Sequence, residues 1–449
     1  MRILKPLLIV GTLSACASVG PDYQAPEIDL TNSFVGGGSN SLKQAAQAQW
    51  WTGFHDPLLN SLVAKGINQN LDVAASLERI RAARLALGQS GFNAQISGDL
   101  DASFTRSGTF PGSGVVDTES ASVDARYVFD LFGGVRRGRE QAEAILGQAE
   151  FEAGTVRLGF LTEITSAYVQ ARFFQNAAEI TRQTIANQSQ TLNLVRFRLD
   201  AGEATKLEEQ QALERLNTFK ARLPILVAGF EGQVLRIATL LAEPAQPLLR
   251  KMQPGANQPW PRGSVHSGIP ADLVRNRPDV RAAERNLAAA VARVGVAEAA
   301  LYPSLNISGN VSVGTSDTWR LGPALSLPVF NRGVLSSRRD VAASEAKQAE
   351  LAWRSTALQA IEDVQVALSS LRNTGTRIGA LNNVVNSSTA LVELSTEAYS
   401  GGAAPLTDIL DAELSLANNR QSVAEARLDY SLAWIQLQVA AGKGWAPVK

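Results

Sequence analysis

Apolar and polar residues alternate strictly in four short parts of the chain. In residues 96–105 the even positions are apolar or small, and the odd positions are polar. The same period of two recurs in residues 122–131, 305–313 and 319–329. About ten residues of this pattern are typical of a membrane-spanning strand with an apolar outer face. The pattern therefore predicts four β-strands, paired in hairpins at 94–131 and 304–330.

Two features of these strands leave alternatives open. A half-buried hairpin of a soluble protein shows the same alternation. Pro323 and Pro328 argue against a central place for the fourth strand, because proline has no N–H to donate. In lipid, four strands are too few to close a barrel, and an open edge would leave backbone groups unpaired. Membrane strands would therefore require assembly, as a dimer with eight strands or a trimer with twelve.

Apolar residues three and four apart predict long helices between and after the hairpins. Two such patterns run from about 135 to 199 and from about 334 to 399. At 1.5 Å per residue each helix would be roughly 100 Å long, a length that requires a coiled-coil or tubular setting. The last helix continues as a heptad seam, which comprises Ile409, Ala412, Leu416, Asn419, Val423, Ala426, Tyr430, Ala433 and Leu437. A core-facing stripe in an ordinary bundle has the same spacing.

The chain contains an internal repeat with a spacing of roughly 200 residues. The repeat aligns Asp72 with Asp279 and Gly202 with Gly402. It predicts a first repeat at 58–242 and a second at 271–449, each with a helix, a hairpin, a long helix, a turn and a helix. Residues 243–270 hold six of the chain's 18 prolines and are predicted to be an extended linker.

The first residues have the layout of a secretory signal. Arg2 and Lys5 precede an apolar run, and small residues precede Cys16, the only cysteine. "LSAC" resembles a bacterial lipobox, which implies a signal peptide at 1–15 and a lipidated extended segment at 16–57. Because Ala17 follows the cysteine, the resemblance also implies the outer membrane. The alternative is an ordinary signal peptide with an incidental cysteine.

Composition limits the chemistry of the chain. Its 42 basic and 42 acidic residues give no net charge, which does not favour nucleic acid as a partner. Two histidines supply little for metal or acid–base chemistry, and no GxSxG, HExxH or phosphate loop is evident. We therefore expect no enzyme activity, no metal and no cofactor besides a lipid on Cys16. No run of 18 uninterrupted apolar residues predicts a transmembrane helix.

Two places where the helical pattern breaks have the residues of helix-hairpin tips. Gly202, Gly401 and Gly402 allow left-handed caps, and Pro405 suits the first turn of the next helix. Arg196 and Arg198 precede the first tip. The simpler interpretation is that each is a solvated surface charge, and the alternative is that each contacts an acidic partner.

Asp408 and Asp411 begin a polar stripe beside the heptad seam. Each precedes a seam residue by one position, a rotation of about 100° on a helix. Periodicity alone favours a solvated helix face for both aspartates.

Several separated motifs in the same order resemble one protein family. They are "WWTGFHDPLLNSLV", "GIPADLVRNRPDVRAAERNLAAA", "ALYPSLNISG", "LPVFNRG" and "AYSGGAAPLTDILDAELSLANNR". With Cys16, they make the chain resemble the TolC-type outer-membrane factors, in the lipoprotein branch of drug-efflux channels. The resemblance implies a mixed α and β fold. In it, a trimeric 12-stranded outer-membrane β-barrel, with four strands per chain, continues into an α-helical coiled-coil barrel in the periplasm.

The resemblance also implies function and partners. A homotrimer would serve as the passive exit channel of a tripartite efflux system, with a periplasmic adaptor and an inner-membrane pump of RND type. The alternatives are a conduit for type I protein secretion and a pore-less, lipid-anchored periplasmic scaffold.

The family further implies roles for the residues of the tips. The tips would contact the adaptor or pump, and the tunnel would narrow near Tyr399, Asp408 and Asp411. Around a threefold axis the two aspartates would form a ring of six carboxylates, which favours cations. Glu208 matches the acidic position of the first repeat and is expected to accept a hydrogen bond from Tyr399. The family's reference member has an arginine where this chain has Ala404. An arginine-based latch at that position is therefore not expected in this chain.

Overall fold

A computed structural model describes residues 18–28, 33–35, 45–112, 114–262, 268–314 and 316–446. The predicted signal peptide and Cys16 lie outside the described residues. The chain divides into two compact units. Of the described residues, one unit comprises those up to Ile28, Glu78–Glu152 and Arg281–Thr356 and contains the β-sheet, and the other comprises the rest and is helical.

In the described part of the chain, four antiparallel strands form one sheet in the order β1-β2-β3-β4. The strands are β1 (Ile96–Gly108), β2 (Val115–Phe129), β3 (Ser304–Gly314) and β4 (Thr318–Ser326). The four predicted strands are thus present, with ends that differ by a few residues. Val123 lies opposite Val311, so the sheet is continuous between the two halves of the chain. Pro323 lies in β4, at an edge of the sheet, where a missing N–H is tolerated.

The register of the sheet separates a polar face from an apolar face. One polar row crosses all four strands through Asp99, Asp124, Asn310 and Arg320. Within that row Asn310 Nδ2 donates to Asp124 Oδ1 at 2.8 Å. The apolar face is exposed in the chain, with Trp319 76% accessible. An apolar sheet face that the described part of the chain leaves uncovered fits contact with lipid.

The helices of the two halves follow the same order. In the first half, α1 (Pro57–Gln69), α2 (Leu71–Gly88) and the short α3 (Phe92–Gln95) precede the hairpin, and α4 (Gly134–Asp200) and α5 (Lys206–Leu240) follow it. In the second half, α7 (Pro270–Asn276) and α8 (Pro278–Ala299) precede the hairpin, and α9 (Arg332–Ser400) and α10 (Leu406–Ala440) follow it. The single helix predicted before each hairpin is therefore broken in both halves.

At each break, one side chain caps the C-terminal end of the last helix in the same half of the chain. Asn70 Nδ2 donates to the carbonyl of Leu240, and its Oδ1 accepts from the first N–H groups of α2. In the second half Arg277 Nη1 donates to the carbonyl of Ala440 at 3.4 Å. Because the last carbonyls of a helix have no partner within it, the break supplies one. This capping role explains why the helix before the hairpin is interrupted in both halves of the chain.

Two segments predicted to be extended contain helices, and both predictions need correction. The linker 243–270 includes α6 (Ala245–Met252), which buries Leu248 and Met252, four residues apart on one face. The N-terminal segment includes 3₁₀ helices at Ala45–Gln47 and Trp50–Phe54. The tryptophans and the phenylalanine of the second are buried, and Phe54 meets the ring of Trp434 edge-on at 5.1 Å. Burial of large apolar side chains outweighs the extended tendency of these proline- and glycine-rich parts.

Among the described helices, α5 is long and apolar enough to cross a membrane by length and composition. Length and composition alone do not distinguish a membrane span from the core helix of a soluble protein. Two contacts connect α5 to α4 instead. Arg236 forms an ion pair with Glu163 at 2.5 Å, and the Phe174 ring lies against Gly229.

Candidate functional site

The turns of the two helix hairpins have matching backbone geometry. Gly202 has a φ of 76° and Gly402 a φ of 75°, the left-handed conformation that glycine adopts without strain. After each glycine, the next N–H reaches back to a helix carbonyl at 2.8 Å, from Glu203 to Arg198 and from Ala403 to Ala398. These hydrogen bonds are those of a Schellman motif, which caps the C-terminal end of both helices.

The second helix of each hairpin starts differently. In the first hairpin, Thr205 Oγ1 accepts from the N–H of Glu208, and Glu208 Oε2 accepts from the N–H of Thr205 at 2.7 Å. This is a capping box, so the Glu208 carboxylate is already engaged in starting α5. In the second hairpin Pro405 precedes α10, and its carbonyl accepts from the N–H of Asp408.

An apolar cluster beneath the turns joins all four helices of the two hairpins. Its buried members are Leu192, Val195, Ala212, Leu216, Tyr399, Leu406, Ile409 and Leu410. The Tyr399 side chain thus belongs to a core and is only 3% exposed.

The structure brings Tyr399 close to Glu208, as expected. The Tyr399 hydroxyl is buried. Burial raises the pKa of Tyr399, and the negative charge of Glu208 and a hydrogen bond to its carboxylate raise the pKa further. Glu208 therefore contributes both to the capping box and to the surroundings of Tyr399.

Arg198 contacts Tyr399 from the opposite hairpin, and its interpretation as a solvated charge is wrong. Its guanidinium carbon lies 4.5 Å from the centre of the Tyr399 ring, in cation–π geometry. Its Nη1 donates to the Tyr399 carbonyl, and its Nε lies 3.6 Å from Glu203 Oε2. The side chain is only 14% exposed. Sequence reasoning missed this contact because it joins residues 201 positions apart.

Arg196 is held within its own hairpin. Its Nε donates to Glu209 Oε1 at 3.0 Å, and Lys206 contacts the other oxygen of the same carboxylate. These two cations lower the pKa of Glu209, with the Lys206 hydrogen bond contributing most. Half of the Arg196 side chain remains exposed, so it stays accessible at the tip.

Asp408 and Asp411 lie on an exposed face beside the buried seam, as their spacing predicts. Asp411 Oδ1 lies 3.6 Å from Arg215 Nη2 of α5, a partner that the sequence did not indicate. Asp408 has no ion-pair partner within the described part of the chain. The two aspartates are therefore not equivalent, because Arg215 offsets part of the charge of Asp411 only.

Glu413 is a buried carboxylate that sequence reasoning missed. It accepts hydrogen bonds from Gln188 Nε2 at 2.7 Å and from Thr191 Oγ1 at 3.0 Å, both on α4. Burial raises its pKa, against the opposing effect of the Thr191 bond. The sequence contained one signal of this burial: Glu413 lies four residues after Ile409, on the apolar side of α10.

Comparison with known proteins agrees with this geometry. A family model described as outer membrane efflux protein matches residues 62–241 and 269–443. The nodulation protein T of Rhizobium leguminosarum bv. trifolii is 35% identical, over 97% of this chain and 96% of its own. The pyoverdine export outer membrane protein OpmQ of Pseudomonas putida is 30% identical, over 88% of each chain.

A solved structure gives the same fold. The structure of the outer-membrane channel OprN matches with a TM-score of 0.86 and 28% sequence identity. The match covers 96% of this chain and 100% of that one. The resemblance seen in the sequence motifs is thus confirmed.

Glu413 gives the site a pH-dependent stability. Because its folded-state pKa is raised, the folded state holds the proton more tightly than the unfolded state. Stability therefore falls as pH rises from the ordinary carboxyl pKa through the folded one, and stays lower above it. Glu413→Gln removes the buried charge, and the new amide can donate to Gln188 Oε1, which is buried without a partner among the described residues.

We expect Glu413→Gln to raise the midpoint of thermal unfolding in detergent at pH 7 by roughly 2–4 °C, the shift that about 1 kcal/mol gives in a mid-sized domain. The difference from the wild type should shrink near pH 4.5. Glu425→Gln, at an exposed site of the same helix, is the control and should change neither midpoint. An equal midpoint for Glu413→Gln and the wild type at pH 7 would contradict the assignment.

Proposed function

The chain belongs to the outer membrane efflux protein family, and from this premise we infer that it is the outer-membrane exit channel of a tripartite efflux system. In this role it passively conducts small molecules from an inner-membrane pump and a periplasmic adaptor to the outside. The observation that carries the inference is the combination, in one chain, of an exposed apolar sheet face and two long helix hairpins, which matches OprN over its whole length.

A homotrimer is the assembly that we propose. In the single chain β1 and β4 each have one unpaired edge, and such edges are costly in lipid. Because the strands alternate in direction, β4 of one copy can pair with β1 of the next in the antiparallel manner. Three copies would close a 12-stranded barrel, and similarity to the family favours three over two.

The helix hairpins would form the periplasmic coiled-coil barrel in this assembly. Their tips, at Gly202 and at Gly401 and Gly402, would meet the adaptor, with Arg196 as an exposed cation beside them. An RND-type pump and a lipid anchor on Cys16 complete the proposal; the family resemblance supports the pump, and the lipobox supports the anchor. Channels of this family are not enzymes, so transport would draw its energy from the pump.

Two other functions are less well supported. OpmQ is named for the export of pyoverdine, and another relative is a solvent efflux protein, SrpC of Pseudomonas putida. These names favour small molecules over the proteins of type I secretion. A pore-less scaffold would have no use for an exposed apolar sheet face.

Gene deletion and channel recording test the function itself. The deletion strain should become hypersensitive to at least one class of drug or other toxic small molecule, and the gene supplied on a plasmid should restore resistance. The purified protein should conduct ions in planar lipid bilayers. Normal susceptibility to every compound tested, together with silent bilayers, would exclude the proposal.

Cysteine cross-linking tests the trimer. A chain with Ser103→Cys in β1 and Gly322→Cys in β4, treated with a bifunctional thiol reagent, should yield covalent trimers on denaturing gels. The control carries Ser122→Cys and Ser312→Cys, which lie opposite each other in the same chain and should link without increasing the mass. Covalent dimers as the largest product would indicate eight strands instead of twelve.

The aspartates at the tip should set ion selectivity. We expect Asp408→Ala with Asp411→Ala to lower the preference for cations in reversal-potential measurements, because a ring of carboxylates attracts cations. Asp408→Ala alone should account for most of the effect, since Arg215 partly neutralises Asp411. Asp408→Glu keeps the charge and should keep the selectivity. An unchanged single-channel record for the double variant would remove both residues from the pore.

A further inference from the structure

We propose that the C-terminal end of α10 contains a buried binding site for a small monovalent anion of the size of chloride. Its donors are the indole N–H of Trp434, the amide Nε2 of Gln438 and the ammonium group of Lys443. The site lies within the helical unit, at the opposite end of α10 from the hairpin turn. The inference is therefore independent of the proposed channel function.

Two of these donors are buried without an acceptor. Trp434 is 2% exposed and Gln438 is 3% exposed. Among the described residues, neither Trp434 Nε1 nor Gln438 Nε2 has a hydrogen-bond partner. Residues four apart on a helix share a face, so one small acceptor can lie between both groups. A buried donor without an acceptor costs free energy, and such a ligand would remove that cost twice.

The side chain of Lys443 determines which end of the Gln438 amide remains without a partner. Lys443 Nζ donates to Gln438 Oε1 at 2.8 Å. An ammonium group has only donors, so the atom that it contacts is the amide oxygen, and the remaining atom is the Nε2 donor. An indole nitrogen is likewise only a donor. Because all three groups are donors, the ligand must be an acceptor and is not a metal cation.

The turn after α10 directs Lys443 back towards the end of the helix. Gly442 has a φ of 68°, and the Lys443 N–H donates to the Gln438 carbonyl at 3.1 Å. The turn is tightly packed, since a Cβ on Gly442 would lie 2.9 Å from the carbonyl oxygen of Asn276. Lys443 is 8% exposed as a result. A lysine that is held in this way places its charge at a fixed position beside Gln438.

Aromatic rings from residues 45–54 enclose the site. The ring of Trp50 meets that of Trp434 edge-on, with 5.9 Å between their centres. Trp50 Nε1 donates to the Lys443 carbonyl at 3.1 Å, so this indole has the acceptor that Trp434 lacks. Rings exclude bulk water, and in such surroundings an ammonium group attracts an anion more strongly than it does in solvent. An enclosed site of this kind suits a small ion.

The charge of Lys443 favours an anion over a water molecule as the acceptor. Burial lowers the pKa of Lys443 to about 8, because it disfavours the ammonium form. An anion would oppose this effect and accept from both Trp434 and Gln438, whereas a water molecule would only accept the hydrogen bonds. Chloride combines the charge, the small size and the ability to accept hydrogen bonds from several directions.

A bound anion would connect two distant parts of the chain. In the turn that carries Lys443, the N–H groups of Gly444 and Ala446 donate to carbonyls within residues 45–54. These residues follow Cys16, the proposed lipid anchor, in the sequence. By fixing the turn, the anion would help to fasten the segment behind the anchor to the helical unit.

Thermal unfolding in matched salts tests the site. For the full-length protein in detergent at pH 7, sodium chloride at about 0.2 M should raise the midpoint by roughly 2–4 °C relative to sodium gluconate, whose anion is too large to enter. Sodium bromide should act as chloride does. Trp434→Phe and Gln438→Met each remove a donor and should lose most of this difference. Gln436→Met, at an exposed position of the same helix, should retain it.

A carboxylate placed in the site provides a second test. Gln438→Glu keeps an acceptor for Lys443 and replaces the unpaired donor with a negative charge, which can also accept from Trp434. We expect this variant to unfold at the same temperature in chloride and in gluconate, and in gluconate at or above the midpoint of the wild type. A chloride effect as large as that of the wild type would contradict the site.

Crystallography with bromide locates the ion directly. Crystals of the wild type grown in sodium bromide should show an anomalous scattering peak within hydrogen-bond distance of all three donors, and crystals of Gln438→Glu should lack it. A wild type without this peak would show that the acceptor is a water molecule and would overturn the proposal. A salt effect shared equally by the wild type, Trp434→Phe and Gln438→Met would overturn it as well, because such an effect is not specific to the site.

Discussion

The backbone of a sheet in lipid has no water with which to pair, and this constraint governs the architecture of the chain. Four strands provide an apolar face, but they leave an open edge on β1 and another on β4. In the proposed trimer, other copies complete the sheet and pair with these edges. The proposed assembly therefore follows from the same constraint.

The arrangement of the helices is repeated in the two halves of the chain. Each half of the chain supplies one hairpin of strands and one hairpin of long helices, and each half closes its last helix with the side chain at a helix break. The small residues of the α10 seam permit close packing along many turns. A repeated unit of this kind suits a tube, because a tube needs equivalent contacts around its circumference.

The hairpin tips differ from this regular scheme, because they bring several charged side chains together. A buried carboxylate at Glu413, an acidic second hairpin and the stacked Arg198 lie within a few turns of each other. An ion pair or cation–π contact near water is individually weak and responds to its surroundings.

The sequence alone was sufficient for everything that depends on local periodicity. Alternation located the four strands, steps of three and four located the long helices, and the glycines at 202 and 402 located the turns. Each of these features repeats along the chain within a few residues, so the pattern is visible without knowledge of the partners. The sequence also placed Asp408 and Asp411 on an exposed stripe, because one step along a helix is a fixed rotation.

Only the tertiary structure decided which side chains meet. Arg198 and Tyr399 are 201 positions apart, and Glu413 and Thr191 are 222 positions apart, so no local pattern connects them. The capping box likewise assigned the Glu208 carboxylate to the start of α5. Which charge pairs with which is set by the packing of four helices against one another, and periodicity fixes only the face of each helix.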